Sequence, residues 1–264
     1  MNDNLESTDE LNHIDSDRLL RLSLDMGEGM LKSGAEIHRV EECIRRICLA
    51  YGVAHVEVFA ITSLIVASVR LSNGDMSLQM RRVYNSSNNL MRVEKLNDIS
   101  RTVCKNLPSL DEFEKMILNA KKETQSHWIL QYLGGVLVAG SFAILFGGSI
   151  LDALVAALMG MIVIFIDNLP VKNLDSTVKC VVTSFICGLL TCVFVNFGIG
   201  HDQNIIMIGT IMLLIPGIAF GNSLSDLVYG DILAGVSRLV QSLIKAVLIA
   251  VAFGLAIFTA GVLL

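Results

Sequence analysis

The sequence predicts an α-helical multi-pass membrane protein of about five transmembrane helices, the fourth broken at a Pro-Gly step, with an N-terminal α+β cytoplasmic domain. Three observations carry this. Of 264 residues, 53% are hydrophobic and only 17% charged, a composition outside that of soluble domains. Charge is concentrated in one half: Met1 to His127 holds 16 basic and 19 acidic residues, Trp128 to Leu264 only four and six. That second half contains five apolar segments, each near the ~20 residues a span requires.

In chain order, residues 1–17 carry Asp3, Glu6, Asp9, Glu10, Asp15 and Asp17 with no basic residue among them, and read as an acidic disordered tail. Residues 18–125 read as the cytoplasmic α+β domain. Asp15 and Ser16 are placed to cap a helix with Leu19, Leu22 and Met26 on one face, ending at Gly34. A second helix places Ile37, Val40, Ile44, Ile47 and Cys48 at helical spacing and stops at Gly52. Strand patterns follow in VEVFAI, SLIVASVRL and MSLQMRRV, the last two joined at Asn73-Gly74. Leu90 to Leu107 returns to helical spacing, and Ser109 with Glu112 forms a capping box for a helix running through Lys121-Lys122.

Residues 126–264 form the transmembrane transport domain of this reading. Its segments are Trp128–Phe146, Ile150–Ile166, Val178–Phe197, Ile205–Phe220 and Leu239–Leu264. Trp128 suits an interfacial anchor, and Lys121, Lys122, Lys172, Lys179, Arg238 and Lys245 all fall on one side of the alternation. The positive-inside rule puts that side, and the N-terminal domain, in the cytoplasm of a cell (inner or plasma) membrane, with Leu264 outside. No basic n-region precedes an apolar stretch at the start, so no cleaved signal peptide is expected. The six cysteines form no CxxC pair and read as buried free thiols, not a disulfide framework or metal site. No cofactor is expected, and the matched charges of the first half argue against nucleic acid.

The candidate chemistry centres on the broken fourth span. Pro216 and Gly217 interrupt IIMIGTIMLLI, and an interrupted span points to a binding site in transporter folds. Freed carbonyls together with Asn222, Ser223, Ser225 and Asp226 are candidates to hold a small solute; the plainer reading is a cytoplasmic loop. Asp231 opens the last helix, where Arg238, Ser242 and Lys245 share a stripe. Arg238 suits a carboxylate, with Asp231 as its partner when empty, while Lys245 reads as a snorkelling boundary residue. Asp152 and Asp167, near the ends of the second span, are proton-coupling candidates against a boundary role. Thr183, Thr191 and Thr210 are expected to close hydrogen bonds within helices. His38 with Glu41 and Glu42 has the look of an acid/base or metal cluster, but a solvated charged face explains it more simply.

The stretches LKSGAEIHRVEECIRRI, VEVFAITSLIVASVRL and PGIAFGNSLSDLVYGDILAGVSRLVQSLIKA resemble the threonine/serine exporter family, over about Leu19 to Leu264. The resemblance implies proton-driven export of small hydrophilic amino acids by an antiporter. Long members resemble this chain joined to a second five-span portion, so the chain looks like the larger subunit of a split exporter whose partner is a five-span membrane protein. The resemblance carries no residue-level roles. Self-association, export of dicarboxylates, a membrane-anchored hydrolase and a regulatory subunit remain alternatives.

Overall fold

A computed structural model describes residues 16–70, 74, 76–84, 87–123, 128–169 and 175–263. The acidic tail, apart from Ser16 and Asp17, lies outside these residues, as do Asn73, Pro170 and Lys172. The described chain is mostly helical with one small sheet, and divides into two compact units, residues 1–125 with 218–239, and 126–217 with 240–264.

The first unit opens with α1 (Ser16–Lys32) and α2 (Ile37–Ala50), followed by strands β1 (His55–Ile61), β2 (Leu64–Arg70) and β3 (Met76–Arg82), then α3 (Leu90–Asn106) and α4 (Leu110–Glu123). The strands form an antiparallel meander, β1-β2-β3, in which Ile61 pairs with Leu64 and Leu64 with Arg82. Alternation buries Val56, Val58, Ala60, Ile65, Ala67 and Val69 against the helices. Leu19, Leu22, Met26, Val40, Ile44 and Ile47 supply the helical side of this core.

Local chemistry sets the boundaries. Gly34 and Gly52 end α1 and α2 at φ +90° and +84°, where a Cβ would strain the backbone. Asn89 caps α3 by accepting from the Arg92 amide at 3.0 Å. The Ser109 hydroxyl and Glu112 carboxylate reciprocate at 3.3 Å, as a capping box requires. Leu107, at φ 46°, caps α3 left-handedly just before Pro108.

The second unit contains α5 (Trp128–Leu145), α6 (Ile150–Asn168), α7 (Ser176–Asn196) and α8 (Gln203–Leu214). After the bend comes α9 (Gly217–Val228), which belongs to the first unit from Ile218 onward. The last helix, α10 (Ile232–Leu263), gives its first turns to the first unit and the remainder to the second. Among the described residues α5, α6, α7 and α10 are long and apolar enough to cross a membrane, and α8 with α9 would make a fifth span bent by 53°.

Helices in lipid gain no hydrophobic drive from meeting one another, so small residues must let them approach closely. Here a Cβ on Gly160 of α6 would meet the Gly135 carbonyl of α5, and one on Gly209 of α8 would lie 2.6 Å from the Ala139 carbonyl. Thr183, Thr191 and Thr210 donate to the carbonyls four residues back, at 2.8, 2.8 and 2.9 Å, as their sequence setting suggests.

Candidate functional site

The α1–α2 turn spans residues 33–36. The Gly34 amide bonds the Leu31 carbonyl at 3.1 Å and the Ala35 amide bonds the Met30 carbonyl at 3.1 Å, closing α1. Glu36 then precedes α2 as its N-cap but gives no side-chain cap hydrogen bond. The Ile37 amide, at the first position of α2, therefore needs an acceptor from elsewhere.

That acceptor comes from α9. Asp226 Oδ1 accepts from the Ile37 amide at 2.9 Å, placing a carboxylate at the positive end of α2. Asn222, one helical turn earlier, donates its Nδ2 to the Gly34 carbonyl at 2.6 Å. Arg238 of α10 donates Nη2 to the Ala35 carbonyl at 3.2 Å, and its Nη1 lies 3.3 Å from Asp226 Oδ2, an ion-pair distance without hydrogen-bond angles. Asp226 is 0% exposed and Arg238 9%, so this is a dry charge pair whose cost is offset only by complete pairing.

The α9–α10 hairpin sets this geometry. Gly230, at φ +92°, ends α9, and the Asp231 amide returns to the Asp226 carbonyl at 2.9 Å. Asp231 opens α10 by accepting the Gly235 amide on its own carbonyl at 2.8 Å. A Cβ at Gly235 would fall 2.9 Å from the Ser223 carbonyl, so only glycine lets the two helices close to this spacing. Ser223 is buried and donates to the Phe220 carbonyl at 2.6 Å. Asn222, Asp226 and Arg238 are thus brought onto one turn, whereas Ser223 and Asp231 support the hairpin.

Pro216 and Gly217 sit at the bend, and the helix resumes immediately. Where the plain reading of the sequence expects a loop, the structure has a 12-residue helix. The pairing of Asp231 with Arg238 is replaced by Asp226.

Of the proton-coupling candidates, Asp152 is the capping-box partner of Ser149 at the start of α6. It also accepts from the amides of His201 at 2.6 Å and Asp202 at 3.2 Å, tying two turns of the second unit together. Asp167 is exposed near the end of α6, where Lys179 donates to its backbone carbonyl.

Of His38, Glu41 and Glu42, the first and last line one cleft, and Glu41 is not part of its lining. Glu42 pairs with Arg46, and Glu41 accepts the Ala60 amide at 2.7 Å. Burial pushes the Glu41 carboxyl above its ordinary range and Asp231 adds to this, while the Ala60 amide opposes it. The His38 ring stacks on Tyr229, centroids 3.8 Å apart. Sequence reasoning missed Tyr229 and the receiving turn, although SGAEIHR and GNSLSDLVYGDILAGVSR are two of the stretches that carry the resemblance.

The described residues thus hold several membrane-length helices and one bent helix pair, the outline of a multi-span membrane protein. The family model described as "Putative threonine/serine exporter" matches residues 21–260, and the chain belongs to that family. No curated protein and no solved structure matches it.

Proposed function

We propose that the chain is the larger subunit of a two-component exporter in the cell membrane, moving threonine, serine or a similar small amino acid out of the cytoplasm in exchange for protons. The observation that supports this best is the dry Asp226–Arg238 pair just beyond the bend. A zwitterion carries the same two charges. Its carboxylate takes the Arg238 guanidinium through paired hydrogen bonds and its ammonium takes Asp226, so the pair opens without stranding either charge. Asn222 supplies an amide for the substrate's hydroxyl.

A substrate ammonium on Asp226 competes with the Ile37 amide for that carboxylate, so substrate-bound and empty states differ in their hold on α2. That differential contact is what a substrate needs to shift a conformational equilibrium. Pro216, with no amide hydrogen, and Gly217, open to solvent or lipid on its Cβ side, allow α9 to pivot. Asp226, once released, is the carboxylate we assign to proton exchange, because Asp152 is engaged by several donors and Asp167 lies at a helix end. A dicarboxylate would set a second negative charge against Asp226, which disfavours that alternative.

In this reading the N-terminal unit faces the cytoplasm, α10 ends outside, and a second five-span subunit completes the path. The test is counterflow of labelled threonine and labelled succinate in proteoliposomes, with the chain alone and with its five-span partner, with and without a pH gradient. Threonine flux that needs the partner and responds to the gradient is expected. Succinate flux would replace the substrate, and no flux of either after correct insertion would overturn the reading.

A further inference from the structure

The first unit contains a second polar site that the transport reading does not use. A cleft of about 340 Å³ lies between α2 and α3, lined by His38, Arg39, Glu42, Cys43, Arg46, Asn97, Ser100 and Arg101. Its volume suits a small metabolite and is at the lower end of ligand sites. Cys43 and Ser100 are buried and Arg46 and Arg101 are exposed, so the cleft has a neutral floor and walls of ion-paired arginines.

We propose that this cleft binds a hydroxylated α-amino acid as a regulatory ligand, separate from the transported one; this rests on the exporter reading above. Three features select that chemistry. Arg39 is held by Glu36 at 2.7 Å, whereas Arg46 and Arg101 pair with exposed neighbours on their own helices, Glu42 and Asp98, pairs that exchange readily for a ligand carboxylate. Glu42, released by that exchange, takes the ligand's ammonium. A dianion would instead face Glu42 and Asp98 uncompensated.

The third feature is the His38 ring, which lines the cleft; its Nε2 lies 3.7 Å from Glu36 Oε2, and its buried Nδ1 has no hydrogen-bond partner among the described residues. A ligand hydroxyl both donates and accepts, so it satisfies this nitrogen in either tautomer. The His38 ring in turn lies on Tyr229, two residues before Asp231 in the α9–α10 connection. Occupancy of the cleft thereby reaches the hairpin that holds Asp226 and Arg238.

Equilibrium binding of labelled L-threonine to the full chain in lipid nanodiscs tests this, using wild type and an Arg46→Ala/Arg101→Ala variant. Both arginines are exposed, so the variant is expected to fold. Wild type should bind two equivalents and the variant one, with the lost site weakened about tenfold or more, as for removal of a charge-assisted hydrogen bond. Counterflow of threonine by the variant should persist, because neither arginine belongs to the Asp226–Arg238 site. Identical binding curves for the two proteins overturn the proposal, as does succinate displacing threonine from the cleft. Threonine binding that the variant loses, in a chain with no counterflow, would sink the transport reading and leave the cleft assignment standing.

Discussion

Removing both members of the Asp226–Arg238 pair should open the α1–α2 turn by less than the two single removals add up to. Asp226→Ala leaves the Arg238 guanidinium buried and the Ile37 amide without its 2.9 Å acceptor. Breaking a buried pair from one side costs about 3–5 kcal/mol. The direct readout is hydrogen exchange of the Ile37 amide, followed by mass spectrometry on the full chain in nanodiscs. If the turn opens locally, that cost speeds exchange by roughly two to three and a half powers of ten. Asp226→Asn keeps an oxygen for Ile37 and should cost less than the alanine. Asp226→Leu with Arg238→Met removes both charges and should fall short of the summed single effects by about 1–3 kcal/mol. Additive effects, or single variants that leave Ile37 protected, would refute the pairing as the element that holds α2.

Further outcomes follow from the same geometry. Asn222→Ala loses the 2.6 Å bond to the Gly34 carbonyl and should accelerate exchange at the turn by about 0.5–1.5 kcal/mol, less than either charge deletion. Cys43 and Cys48, whose thiols burial pushes up to about 11, should hold only about a thousandth of their population as thiolate at pH 8, and resist maleimide until the unit unfolds. Gly160→Val should destabilise the α5–α6 contact by about 1–3 kcal/mol or block insertion, whereas Gly134→Ala, with nothing within 4 Å of an added Cβ, should be tolerated; thermal unfolding in nanodiscs separates them. The raised native Glu41 carboxyl binds protons that the unfolded chain, near its ordinary 4.5, has already released. Stability of the first unit should therefore fall as pH rises from about 4.5 through the native value, and Glu41→Gln should flatten that slope.

What the sequence shows well is local. The stops at Gly34 and Gly52, the three strands and the Ser109–Glu112 box depend on residues within a few positions of one another, and so do the apolar segments. Leu107 carries no sign of its left-handed cap, because leucine rarely takes that conformation. The polar cluster was half visible: Asn222, Asp226 and Arg238 stand out as polar residues in apolar surroundings. Their partners do not, since Asp226 meets Ile37 189 positions away and Arg238 meets Ala35 203 away. Nothing local distinguishes Ala35 or Ile37, whose contribution is backbone carbonyl and amide. The same holds for Asp152, whose tie to the His201 amide spans 49 positions. Residues 217–228 read as a broken segment because of their glycines and polar groups, yet the tertiary contacts of Asn222 and Asp226 go with a helix there.

The central claim is that Arg238 and Asp226 exchange their mutual contact for a substrate's two charges. The most direct measurement is labelled-threonine counterflow in proteoliposomes by Arg238→Lys and Arg238→Ala, reconstituted with the five-span partner at matched insertion. Lysine keeps the charge but not the paired donors, so the account predicts partial flux for Arg238→Lys and near-complete loss for Arg238→Ala. Wild-type counterflow by Arg238→Ala would contradict it.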